Sequence, residues 1–144
     1  LKSDLVKLEQ EAIALMNAGN LKRAVELFSV IVKENPGYEH GSCFHDLAGC
    51  YEDLGELDKA EENYGRALEY EPKNPIFLGG YASFLYLHRD PQSAFEEYLK
   101  LWKLENCSGN KAQADKTMPG LRELSKRLGL TDKELRQRLH GASP

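Results

Sequence analysis

His40, Cys43 and His45 stand close together in the chain and are of the types that bind zinc. Zinc needs four ligands converging tetrahedrally, and these three share no helical face with a fourth at regular spacing. They read as solvated histidines beside a partly buried thiol. Cys43 and Cys50 are seven residues apart, two turns along one helical face, where small apolar side chains pack. With Cys107 they form an odd set without disulfide or zinc spacing, which points to a reducing, cytoplasmic setting. The paired carboxylates Glu52-Asp53, Glu61-Glu62 and Glu96-Glu97 do not make an acid–base pair, because adjacent residues on a helix point in different directions. The sequence holds no glycine-rich phosphate loop, no His-Glu metal motif and no Gly-x-Ser-x-Gly elbow, so we expect neither an enzyme nor a cofactor. Asn106-Cys107-Ser108 fits the glycosylation triplet, but no export signal accompanies it.

The elements that carry these residues recur. Shifting the chain by 36 and then 34 residues superimposes Ala12, Ala48 and Ala82; Leu15, Tyr51 and Leu85; Ala24, Ala60 and Ala94; and Phe28, Tyr64 and Tyr98. A period near 34 residues signifies paired helices that bury their faces by stacking on neighbouring pairs. The second copy is the cleanest, with Phe44, Leu47, Ala48, Tyr51, Gly55, Leu57, Ala60, Tyr64, Ala67 and Pro72. Alanine at 48 and 60 lets the two helices approach, Gly55 ends the first helix in the left-handed conformation, and Pro72 ends the second. These residues resemble the tetratricopeptide repeat family.

The resemblance implies an all-α, right-handed superhelix of three helix-turn-helix repeats, about 5–38, 41–74 and 75–108, followed by a connector and helical cap over 109–144. The first copy has Glu11 where an apolar residue belongs, so its first helix is expected to be partly exposed. Two extra residues around Gly37–His40 predict a longer connection there. In the third copy Asp90 and Pro91 replace the Gly-x-Leu turn and serve as helix cap and first helical residue. Ser108 to Lys116 reads as a loop or loosely helical connector, with a seventh helix beginning at Thr117 and Pro119 and ending at Gly129. Thr131 and Glu134 form a capping box for a short eighth helix, and this end piece should cover Trp102.

The family binds peptides on a concave surface lined by the first, or A, helix of each repeat. Carried over by position, that surface comprises Val6, Glu9, Ile13, Met16 and Asn17; then Ser42, His45, Gly49, Glu52 and Asp53; then Ile76, Gly79, Ser83, Tyr86 and Leu87. It is apolar and mildly acidic. Chaperone-binding members clamp a terminal carboxylate with Lys, Asn and Arg; here those positions hold Glu9, Ile13, Gly49, Gly79 and Ser83, and the clamp is absent. The expected ligand is therefore a peptide or helix with apolar anchors and a basic residue, with self-association through a terminal face as the alternative.

Net charge divides unevenly. Residues 1–105 carry 11 Lys/Arg against 19 Asp/Glu, and residues 106–144 carry 8 against 4, giving −8 and +4. An acidic body disfavours nucleic acid as the main ligand, and the basic end piece, with Arg122, Lys126, Arg127, Lys133, Arg136 and Arg138, lacks aromatic or groove-reading motifs. No apolar stretch approaches the ~20 residues that span a bilayer.

Overall fold

The computed structural model describes residues 2–141, and every regular element among them is helical. No helix in this range is long and apolar enough to cross a membrane. The chain divides into two compact units, Leu1–Phe77 and Leu78–Pro144.

In the first unit, α1 (Lys2–Asn17) pairs with α2 (Leu21–Glu34), and α3 (Ser42–Asp53) with α4 (Leu57–Tyr70); α2 also packs on α3. Its last residues open α5 (Pro75–His88). The alanines found by superposition sit where the helices meet, and Ala12, Ala24, Ala48 and Ala60 are each 0% exposed. Phe28, Ile31, Leu47, Cys43 and Cys50 fill the space around them. Of α1 only Ala12 is fully buried and Glu11 is exposed, as the polar substitution at 11 leads one to expect.

The α3–α4 turn shows how short connections are fixed. Gly55 has φ 78°, its N–H donates to Glu52 O at 2.9 Å, and the next N–H donates from Glu56 to Tyr51 O at 2.8 Å. Two carbonyls that the helix end would leave open are thereby satisfied. The longer connection after α2 contains a 3-10 turn, Tyr38–Gly41, in which Glu39, His40 and Gly41 all have positive φ. Only glycine suits position 41. A Cβ there would lie 3.0 Å from the Tyr70 ring, which stacks on Phe44 at a centroid distance of 5.8 Å.

In the second unit the remainder of α5 is followed by α6 (Pro91–Cys107), α7 (Lys111–Arg127) and α8 (Asp132–His140). Asp90 caps α6, its Oδ1 accepting the Ser93 N–H at 2.8 Å, with Pro91 at the helix start. Both α7 and α8 touch α6. Trp102 is 7% exposed and meets the His140 ring edge-on at 5.7 Å, so the end piece does cover it. The capping box of Thr131 and Glu134 is formed.

The connector differs from the sequence reading. Asn110 caps α7, which begins at Lys111, so Thr117 and Pro119 lie inside the helix. The polar residues 111–116 hid it because their apolar stripe is almost reduced to Ala114. Thr117 is buried and donates its hydroxyl to the buried Glu105 of α6 at 2.8 Å, a partner no local pattern announces. Pro119 is exposed, as is Asp115, so the carbonyl that lacks its usual N–H partner can take water instead.

Candidate peptide-binding surface

In the first unit the predicted surface residues fall on α1 and α3. Helical spacing keeps Val6, Glu9, Ile13 and Met16 near one another on α1, while Asn17 is exposed at its end. Val6, Ile13 and Met16 are half-buried and pack against the core, so much of the apolar character expected of a binding face is spent internally. Glu9 accepts a hydrogen bond from the Tyr38 hydroxyl at 2.8 Å, which ties α1 to the turn before α3. Glu9 also disfavours ionisation of Asp46 on α3. Burial, with the Glu9 charge second, pushes the Asp46 carboxyl up to about 6. Carboxylates thus meet at the α1–α3 junction, where a basic side chain would find opposite charge.

On α3, Ser42 is half-buried, Asp53 is exposed, and Glu52 accepts from the Tyr64 hydroxyl at 2.7 Å. His45 does not stand out as a cation. It is half-buried between Tyr64 and Phe77, with ring centroids 5.6 and 5.2 Å away, and burial holds its pKa below the usual histidine value. It is therefore neutral at neutral pH. Gly49 opens on unfilled space, since a Cβ there would meet nothing within 4 Å. Burial pushes the Cys43 thiol up to about 12 and the Cys50 thiol to about 11, so both stay protonated and act as packing groups.

On α5, Ile76 is 69% exposed and Leu87 is 63% exposed, and Ser83 is exposed as well. A Cβ on Gly79 would make ordinary contact with Leu101 at 3.7 Å, so glycine is not demanded by space. Tyr86 is engaged rather than open: its hydroxyl donates to Glu123 of α7 at 2.6 Å, and Arg127 lies 5.0 Å from its ring centroid. Glu123 and Arg127 fall within the seventh helix that the sequence predicts, but their contact with Tyr86 links residues 37 and 41 apart, which no local pattern announces. The α1–Tyr38 and α3–Tyr64 hydrogen bonds also lay beyond the sequence reading, since the partners are 29 and 12 residues apart.

Residues 47–111 match the family model for the tetratricopeptide repeat. No curated protein matches the chain in sequence. Several solved structures match its fold. The first tetratricopeptide domain of Spaghetti (RPAP3), solved bound to the HSP90 peptide SRMEEVD, is 14% identical with a TM-score of 0.73, over 89% of this chain and 98% of that one. The Yersinia enterocolitica type III secretion chaperone SycD, solved with a peptide of the translocator YopD, is 18% identical with a TM-score of 0.76, over 87% and 95% of the two chains. The Sgt2 tetratricopeptide domain of Aspergillus fumigatus is 21% identical with a TM-score of 0.70, over 98% and 85%. Residues 47–111 are thus similar in sequence to the tetratricopeptide repeat, and the chain shares the fold of solved tetratricopeptide domains along most of its length.

Proposed function

We propose that the chain is a non-catalytic protein-interaction module whose A helices hold a peptide or helix bearing apolar anchors and a basic residue. The observation that carries this reading is the exposure of Ile76 and Leu87 on α5, two large aliphatic side chains left in water by a helix whose other face is buried. A folded chain leaves such groups uncovered at a cost that a ligand removes. Glu9, Glu52 and Asp53 supply negative charge on α1 and α3, which favours a basic residue and opposes an acidic one. That two structural neighbours were solved with bound peptides supports the general role. Their ligand chemistry is not carried over, because Glu9, Ile13, Gly49, Gly79 and Ser83 offer none of the cations and amides of a carboxylate clamp.

The test is a fluorescence-anisotropy titration of the full chain with a capped leucine- and lysine-containing peptide. Wild type should bind it, and Ile76→Asp with Leu87→Asp should weaken binding about tenfold or more, the equivalent of ~1.4 kcal/mol. Both positions are exposed, so the double variant should fold normally. Equal binding by wild type and double variant overturns the reading. So does an acidic peptide that binds more tightly than the basic one and loses its affinity in this variant.

A further inference from the structure

The end piece repeats the hairpin geometry of the repeats but breaks their packing rule. Gly129 has φ 71°, its N–H donates to Lys126 O at 3.0 Å, and the Leu130 N–H donates to Ser125 O at 2.9 Å. The same pair of bonds closes the α1–α2 turn at Gly19, whose φ is 79°. Aligning Gly129 with Gly19 places Arg122 at the position of Ala12 and Glu134 at that of Ala24. Ala12 and Ala24 are 0% exposed because their helices close on each other there. A guanidinium and a carboxylate cannot enter such a contact without losing their water, so α7 and α8 stand apart at this point.

A recess of about 620 Å³ lies between them. Its floor is aliphatic, formed by Met118, Leu130, Leu135 and Leu139. Arg122, Lys126, Arg136 and His140 also line it, and among the described residues Asp132 is the one carboxylate in that lining. The recess is of ligand size and joins an apolar socket to a cationic rim.

We propose that this recess is a second protein-binding site, distinct from the A-helix faces, and that it takes an acidic peptide segment in which a leucine or phenylalanine is flanked by glutamate or aspartate. The apolar side chain enters the floor of leucines and Met118, and the flanking carboxylates meet Arg122, Lys126 and Arg136. Charge complementarity selects the partner, because residues 106–144 carry 8 Lys/Arg against 4 Asp/Glu while the rest of the chain is acidic. A nucleic acid fits less well. Among the described residues the lining holds no Phe, Tyr or Trp on which bases could stack.

The experiment uses the full chain and three fluorescein-labelled probes: a capped peptide of leucine, phenylalanine and glutamate; the same peptide with glutamine for glutamate; and a single-stranded oligothymidylate. The acidic peptide should bind, with affinity that falls as salt rises. Arg122→Glu combined with Arg136→Glu should weaken it about tenfold or more, and Lys126→Glu should act in the same direction. All three side chains are exposed, so circular dichroism should show unchanged helix content. Ile76→Asp with Leu87→Asp should leave this binding intact, which separates failure here from failure of the A-helix reading. Equal affinity for the glutamine peptide, tighter binding of the oligothymidylate, or indifference to the charge reversals overturns the proposal.

Discussion

Asp46 carries a proton in the folded chain at a pH where it would not in the unfolded one. Its carboxyl is pushed from an ordinary 3.8 to about 6, by burial first and the Glu9 charge second. Between those values the folded state binds the additional proton, so the contribution of this group makes stability fall as pH rises from about 4 to about 6. Asp46→Asn removes the ionisation. The variant should match wild type near pH 4 and exceed it at pH 7 by on the order of 1–2 kcal/mol, allowing for partial exposure; urea denaturation across that range checks both points. A variant less stable than wild type at pH 7 would contradict the assignment. Ala60 makes the complementary case in apolar packing. It is 0% exposed where α4 meets α3, so Ala60→Leu must displace backbone or neighbours and should cost ~1–3 kcal/mol in the same assay.

At the scale of elements, the turns separate two roles of glycine. Gly55→Ala meets no atom within 4 Å, so its cost is the left-handed backbone alone, about 1 kcal/mol. Gly41→Ala adds a contact at 3.0 Å with the Tyr70 ring and must disturb the Phe44–Tyr70 stack, so it should lower the melting temperature further than Gly55→Ala does. Thr131→Ala removes the side-chain acceptor of the Glu134 N–H and should cost ~1 kcal/mol in α8. Trp102, the sole tryptophan, rests against His140 of that helix. Fraying of α8 should therefore shift its fluorescence to longer wavelength, and an unchanged spectrum would show that the cap does not depend on this bond.

For the whole molecule, the competing account of the exposed aliphatic groups is a second copy of the chain covering them. A peptide-binding module should remain monomeric in light scattering as concentration rises through the micromolar range. A mass that doubles with concentration, and reverts in Ile76→Asp with Leu87→Asp, would favour self-association instead. The division of charge gives a further discriminator. Raising salt should weaken the acidic probe at the end piece while leaving the apolar share of binding on α5 largely intact.

The alanines at 12, 24, 48 and 60, the turn glycines 19 and 55, and the caps at Asp90 and Thr131 were legible in the sequence because each answers a local demand: a close approach, a positive φ or an open N–H group. Ile76 and Leu87 could be named as surface residues from the repeat register alone, but that register could not tell Met16, which packs inward, from Leu87, which does not. The start of α7, the burial of Glu105 by Thr117 and the tying of Tyr86 to Glu123 emerged only in three dimensions. The first was hidden by the nearly stripe-free run 111–116, and the other two pair residues 12 and 37 apart in the chain. A periodic pattern records which face of a helix turns inward, while the partner it meets there is set by how the helices pack.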